Sequence, residues 1–393
     1  MTDSVFQANT NRVCIGCGLC ANECRMIRDS SGFLKPEDKV LEKNDLADYC
    51  PSLQRPRVGN DGPWGPRISS WIGWNENETL RHHASSGGMT TELASFALDS
   101  GEADAVLCVS SDSDEPLYGK PRICKTAEEV AECAGSRYVS ISPLCLLPKT
   151  LNDGLHVVVI GRPCDARAVR AWLRANPEYS NQVPYVLSFF CAGIPSRDAA
   201  DRLLQSMGGN KERLETFQYR GNGWPGFATA RHSDGTVKKL TYDESWGKVL
   251  GRDVAQYCRF CPDGVGDAGD IACGDAWYLG EDGAPSFSEA DGRNVVFART
   301  SRGAALLERA ARAGRVHIEQ LDDDNYLERI QNYQFTRRVT LYDRQMALAL
   351  CGKKFRSCDV ASSKKLRHYV NLRTHLRIFL GTVKRIIEKK IDV

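Results

Sequence analysis

Residues 156–176 read HVVVIGRPCDARAVRAWLRAN. HVVVIG is a short apolar run rich in β-branched residues and closed by glycine, the pattern of a buried strand, and DARAVRAWLRAN then carries its apolar residues at helical spacing. A buried strand running straight into an amphipathic helix predicts an α/β body. The pattern extends outward on both sides. ADAVLCVSS (103–111) and the apolar part of YVLSFF (185–190) read as strands, and TTELASFALDSG (90–101) and SRDAADRLLQSMG (196–208) as helices. GFATARHSDGTVKKLTY (226–242) reads as a polar hairpin turning at Asp234-Gly235.

The chain has 393 residues, beyond one core's worth, so two or three packed units are expected. Its formal charge of +2, from 52 basic and 50 acidic residues, gives no global nucleic-acid or membrane signal. The polar start MTDSVFQANTNR and the lack of a long apolar stretch predict a cytoplasmic protein.

A reducing compartment makes the sixteen cysteines likelier metal ligands than disulfides. CIGCGLCANEC (14–24) spaces Cys14, Cys17, Cys20 and Cys24 in the bacterial ferredoxin run for a 4Fe–4S cluster. Structural zinc sites usually separate two pairs by a dozen residues or more. In that run the fourth cysteine precedes proline. Here Arg25 follows Cys24, and the Cys-Pro pair is Cys50-Pro51. Cys14, Cys17, Cys20 and Cys50 are therefore the expected ligands, with Cys24 the competing fourth. PSLQRPRVGNDGPWGPR (51–67) then reads as a linker with a boundary near residue 65.

Further along, Cys164 and Cys191 each follow an apolar strand at its carboxyl end, and Cys258 and Cys261 form a C-x-x-C pair. Together they are a weak second four-thiolate pattern, with Cys273 as a spare. Cys108, Cys124, Cys133, Cys145, Cys351 and Cys358 read as inert buried thiols. HHASSGGMTTELASFAL (82–98) sets hydroxyls and glycines before a helix, where an anionic phosphate fits; taken alone, the stretch is better read as an ordinary serine N-cap with glycines serving the turn. No G-x-G-x-x-G follows a strand, so a Rossmann nicotinamide site is unsupported.

These motifs, with AGSRYVSISP (134–143), FFCAGIPS (189–196), YRGNGWPG (219–226) and CRFCPDGVGDAGDIACGDAW (258–277), occur in an order that resembles the coenzyme F420 hydrogenase/dehydrogenase beta subunits. Relatives of that family include 7-hydroxymethyl chlorophyll a reductase and a divinyl chlorophyllide reductase. The resemblance covers roughly residues 14–335. It implies a small N-terminal ferredoxin-like iron–sulfur module (1–65) and an α/β flavin-binding body on a mixed sheet (66–340); it leaves unexplained the C-terminal tail (341–393), which reads as helical from its own pattern.

By the same resemblance, Ser85, Ser86, Gly87, Gly88 and Thr90 cradle the phosphates of FAD, and Gly135, Ser136, Arg137 and Tyr138 face the flavin. Cys164, Cys191, Cys258 and Cys261 hold an inner cluster, giving two 4Fe–4S clusters in all. Candidate substrate contacts are Arg162, Arg220, Asn222, Trp224 and Asp275. The implied activity is an FAD-dependent iron–sulfur reductase or dehydrogenase. Electrons from ferredoxin or another donor protein would pass through both clusters to FAD and leave as hydride to coenzyme F420 or another unsaturated or carbonyl small molecule. The alternative is a non-catalytic electron-transfer subunit of a larger redox complex. Residues 363–393 carry nine Lys or Arg against two acids in an amphipathic pattern broken near Gly381. They suit a body-covering helix, an anionic membrane or a partner surface, and a homo-oligomer is a further option.

Overall fold

The computed structural model describes residues 13–37, 48–391 and 393. Thirteen strands are present among them: β1 (Met26–Arg28), β2 (Leu34–Pro36), β3 (Ser69–Asn75), β4 (Ala105–Ser111), β5 (Gly119–Cys124), β6 (Val157–Gly161), β7 (Val186–Phe189), β8 (Leu214–Gln218), β9 (Ala228–His232), β10 (Val237–Leu240), β11 (Ile271–Asp275), β12 (Asn294–Ala298) and β13 (Val316–Gln320). Eight form one mixed sheet in the order β13-β3-β12-β11-β7-β6-β4-β5. Its centre, β4, β6, β7 and β11, is parallel, and both flanks are antiparallel.

The central strands are apolar on both faces because both faces are covered. Val158 packs with Met89 and Leu93 of helix Met89–Asp99 and Leu306 of helix Ser301–Arg312. Val157 and Val159 turn the other way, onto Ala166, Val169 and Trp172 of helix Pro163–Ala175. That second layer also takes in the start of the chain. Val13, Ile15, Cys17, Leu19 and Phe33 belong to the same apolar cluster, and Leu144 N–H donates to the Cys17 carbonyl (2.9 Å).

The hairpin read from the sequence is β9–β10, turning at Gly235 with φ of 80°, and β8 completes a small second sheet. The tail departs from expectation in one respect. Helix Leu372–Ile387 runs unbroken through Gly381, since one glycine costs a helix only about 1 kcal/mol and Thr382 and Ile386 are buried beside it. Leu372, Leu376, Leu380 and Ile387 stay exposed. Among the described residues no helix is long and apolar enough to cross a membrane.

Candidate functional site

A cavity of about 530 Å³ opens at the carboxyl ends of β6, β7 and β11, where open α/β sheets place their ligands. Its wall includes Ser85, Ser86 and Gly88 from the loop before helix Met89–Asp99, Thr90 from that helix's first turn, Gly135 to Tyr138, and Arg162, Cys191, Arg220 and Asp275. Six separate sequence motifs thus meet on one volume.

The two loops are tied together. Ser85 Oγ accepts from Ser136 N–H (2.6 Å) and donates to the Arg220 carbonyl (3.2 Å), and Ser86 Oγ donates to the Arg293 carbonyl (2.9 Å). Neither serine caps the helix: the N-cap is Gly88, at φ of 76°, a conformation that favours glycine. Gly87 has a different role from the one its motif suggests. A Cβ there would stand 2.8 Å from Asn294 Oδ1 and 2.9 Å from Arg293 Cα and the Gly73 carbonyl oxygen. Its missing side chain makes room for neighbouring protein.

Arg137 carries an unsatisfied atom on this wall. Its Nη1 reaches the neighbouring Ser136 carbonyl (3.3 Å), while its buried Nε has no hydrogen-bond partner. Burial holds its guanidinium below the ordinary arginine pKa, against weak support from Tyr219 and Cys133 and none from a carboxylate. A cation in that setting is a seat for an anion.

Arg220, buried at 2 % exposure, forms a bidentate pair with Asp275 at the end of β11 (2.9 and 2.8 Å). Trp224 Nε1 donates to the same carboxylate (2.9 Å) and its ring stacks on Trp277 at 4.8 Å. Trp224 lies behind the wall, and Asn222 points elsewhere, to Gln218 Oε1 (2.7 Å) and His83 (3.0 Å). Of the five substrate candidates, Arg162, Arg220 and Asp275 line the cavity.

Arg162 joins the cavity to the cysteines. It caps helix Pro163–Ala175 and clamps Asp165 with Nε (2.6 Å) and Nη2 (2.9 Å). Burial opposes its charge, but Asp165, Cys164 and Cys191 outweigh that and hold it protonated. Cys164, Cys191, Cys258 and Cys261 are electrostatic neighbours. Burial pushes the Cys191 thiol up to about 11 and Cys258 to about 12. Thiols must lose their protons to ligate a metal, and burial opposes that unless a cation is present. Arg337, which nothing in the sequence singles out, donates to the carbonyls of Cys191 (2.9 Å) and Cys258.

The front set lies next to the inner one. Burial raises the Cys17 thiol, and Cys20, Asp165 and Cys50 add to it, so Asp165 faces Cys17 as well as Cys164. Pro51 is held from below: its carbonyl accepts from Arg167 Nη2 and Tyr257 OH, both at 3.1 Å. Tyr257 immediately precedes Cys258. Cys24, the competing ligand, is instead joined to Cys145 by a disulfide. That pairing departs from the inert reading of Cys145; the Leu144–Cys17 hydrogen bond brings the two segments together. Beside Cys14 lies a groove of about 880 Å³ whose wall carries Lys35, Arg252, Arg259, Arg385 and Lys390 against Asp29 and Asp253.

Comparison with known proteins gives the family. Two family profiles of the "Coenzyme F420 hydrogenase/dehydrogenase, beta subunit" match the chain, the one for its N terminus over residues 70–147 and the one for its C terminus over residues 155–324. The coenzyme F420 hydrogenase subunit beta of Methanosarcina barkeri is 29% identical over 252 residues, 61% of this chain and 77% of that one. The chloroplastic 7-hydroxymethyl chlorophyll a reductase of Oryza sativa is 24% identical over 221 residues, 56% of this chain and 45% of that one. A chain of the F420-reducing NiFe hydrogenase complex of Methanosarcina barkeri shares the fold, with a TM-score of 0.58 at 19% identity over 76% of this chain and 99% of that one. With both profiles matched in order over more than half its length, the chain belongs to the coenzyme F420 hydrogenase/dehydrogenase beta subunit family.

Proposed function

We propose that the chain is an iron–sulfur flavoprotein oxidoreductase. In this reading a reduced donor such as ferredoxin supplies electrons through two 4Fe–4S clusters to FAD, and a substrate, coenzyme F420 or another unsaturated or carbonyl small molecule, receives hydride. The observation that carries it is the cavity itself: Arg137, a guanidinium with no carboxylate partner and a buried, unbonded Nε, lies on its wall with Arg162 and with Cys191 of the inner thiol group. FAD, when bound, exchanges single electrons with clusters and electron pairs with substrates.

The chain's own residues supply the setting. Arg137 and the first turn of helix Met89–Asp99 attract phosphate. Cys164, Cys191, Cys258 and Cys261 hold the inner cluster, with Arg162 and Arg337 offsetting its negative charge. Cys14, Cys17, Cys20 and Cys50 hold the front one, since Cys24 is paired with Cys145. Arg220 and Asp275, fixed to each other, present a charge-paired polar wall to the substrate. The basic groove beside Cys14 suits an acidic donor protein.

The subunit reading has its own support. The exposed leucines of helix Leu372–Ile387, with Arg373, Arg377 and Lys384 among them, suit a protein partner in a redox complex. Anaerobic reduction by ferredoxin, followed in the flavin absorbance, tests the main reading. Cys17→Ala should abolish reduction while leaving FAD bound, and unchanged reduction in that variant would refute the route.

A further inference from the structure

One cysteine group lies outside both sets. Cys108 is on β4 and Cys124 ends β5, where the register pairs Val106 with Cys124. That places Cys108 and Cys124 on the same face as diagonal neighbours. Helix Ala127–Glu132, capped by Thr126, returns the chain over the strands and sets Cys133 at its C-cap. The sulfurs of Cys108 and Cys124 stand 3.7 Å apart, those of Cys124 and Cys133 also 3.7 Å, and all three lie within 4.8 Å of one another. Bonds of about 2.3 Å at a tetrahedral centre require sulfurs about 3.8 Å apart. A disulfide would need about 2.05 Å. Exposures of 4, 0 and 9% put the group away from solvent.

The surroundings match a bound cation carrying three thiolates. Zinc(II) with three thiolates has a net charge of −1. The guanidinium of Arg122, Cys108's partner across the strands, places Nη1 4.0 Å from Cys133 Sγ; the same Nη1 pairs with Glu132 at 2.9 Å, and Nη2 with Glu129 at 3.6 Å. Such an outer cation orients and tunes a ligand set. Cys108 and Cys133 are also part of the cavity wall.

We propose that Cys108, Cys124 and Cys133 form a three-thiolate seat for zinc(II), with the fourth coordination position turned to the cavity. The seat pins the edge strand β5 and helix Ala127–Glu132 against the loop that carries Arg137. It stands independently of whether the cavity takes a flavin.

The test uses the full chain with its iron–sulfur clusters reconstituted, loaded with zinc chloride and freed of excess by gel filtration. Zinc is then counted by mass spectrometry and its neighbours by zinc-edge X-ray absorption. The expected result is one zinc per chain with three sulfur neighbours at about 2.3 Å. Zinc should fall at least tenfold in Cys124→Ser and in Cys108→Ser, and remain in Cys17→Ser and Cys351→Ser. Should the first two variants fail to fold, the absorption spectrum of the unmodified chain decides alone. No retained zinc, four sulfur neighbours, or zinc that disappears in Cys17→Ser instead would each overturn the assignment.

Discussion

Replacing Arg137 by methionine separates a ligand-binding cation from a structural one, because the two roles give opposite signs. Arg137 has no acidic partner and a buried Nε without a hydrogen bond, so the ligand-free protein bears its desolvation uncompensated. Methionine keeps an unbranched apolar stem and removes the charge. The ligand-free variant should therefore be as stable as the parent or more so. FAD binding should suffer. One charge pair at about 4 Å with an effective dielectric of about 20 is worth about 4 kcal/mol, and a hydrogen bond to a charged group about 1.5–3 kcal/mol. A loss of about 2–4 kcal/mol follows, a weakening of roughly thirtyfold to several hundredfold. Flavin fluorescence titration of the apoprotein, beside thermal melts of both proteins, measures both quantities. Unchanged FAD affinity, or an apoprotein melting well below the parent, would refute the anion seat.

Asp275→Asn leaves Arg220 buried and without its carboxylate, so urea unfolding should show a loss of about 3 kcal/mol. Asp270 gives a pH signature. Burial pushes its carboxyl up, but Arg170 and the hydrogen bonds from Arg302 and Val186 N–H outweigh this and hold it below the ordinary value. Its contribution is thus fully present above about pH 4 and is lost as pH falls through the folded value, so Asp270→Asn should be less stable at pH 7 and flatten the acid limb of a stability-against-pH curve. Gly87→Ala forces a Cβ against Asn294, Arg293 and Gly73, and should lower the melting temperature of the ligand-free protein by the equivalent of about 1–3 kcal/mol. If instead only flavin content falls, the glycine serves the ligand after all.

Much of the fold was legible because it is written locally. The valines of β6 alternate between two covered faces, and the helix after β6 begins two residues beyond the strand. The site was legible where motifs are contiguous: the Ser85–Gly88 loop and the Gly135–Tyr138 turn do converge on one cavity. What escaped is set by pairing across the fold. Cys24 and Cys145 are 121 residues apart, and only the docking of the N-terminal segment joins them. Cys108, Cys124 and Cys133 look like unrelated buried thiols until the β4–β5 register aligns them. Asp165 did carry a signal, an acid three residues after the helix cap, whereas Tyr242, Trp277 and Arg337 carry none. Asn222 shares a motif with Arg220 and Trp224, yet those two meet on the Asp275 carboxylate while Asn222 turns to Gln218 and His83.

The most direct measurement is the cofactor content of the chain purified without oxygen: iron and acid-labile sulfide per chain, flavin released on denaturation, and the visible spectrum before and after reduction. Two cubanes on the eight nominated thiolates and one flavin in the cavity give about eight irons, about eight sulfides and one FAD per chain. A colourless protein, or one that binds no flavin and no more than four irons after reconstitution, would contradict the iron–sulfur flavoprotein.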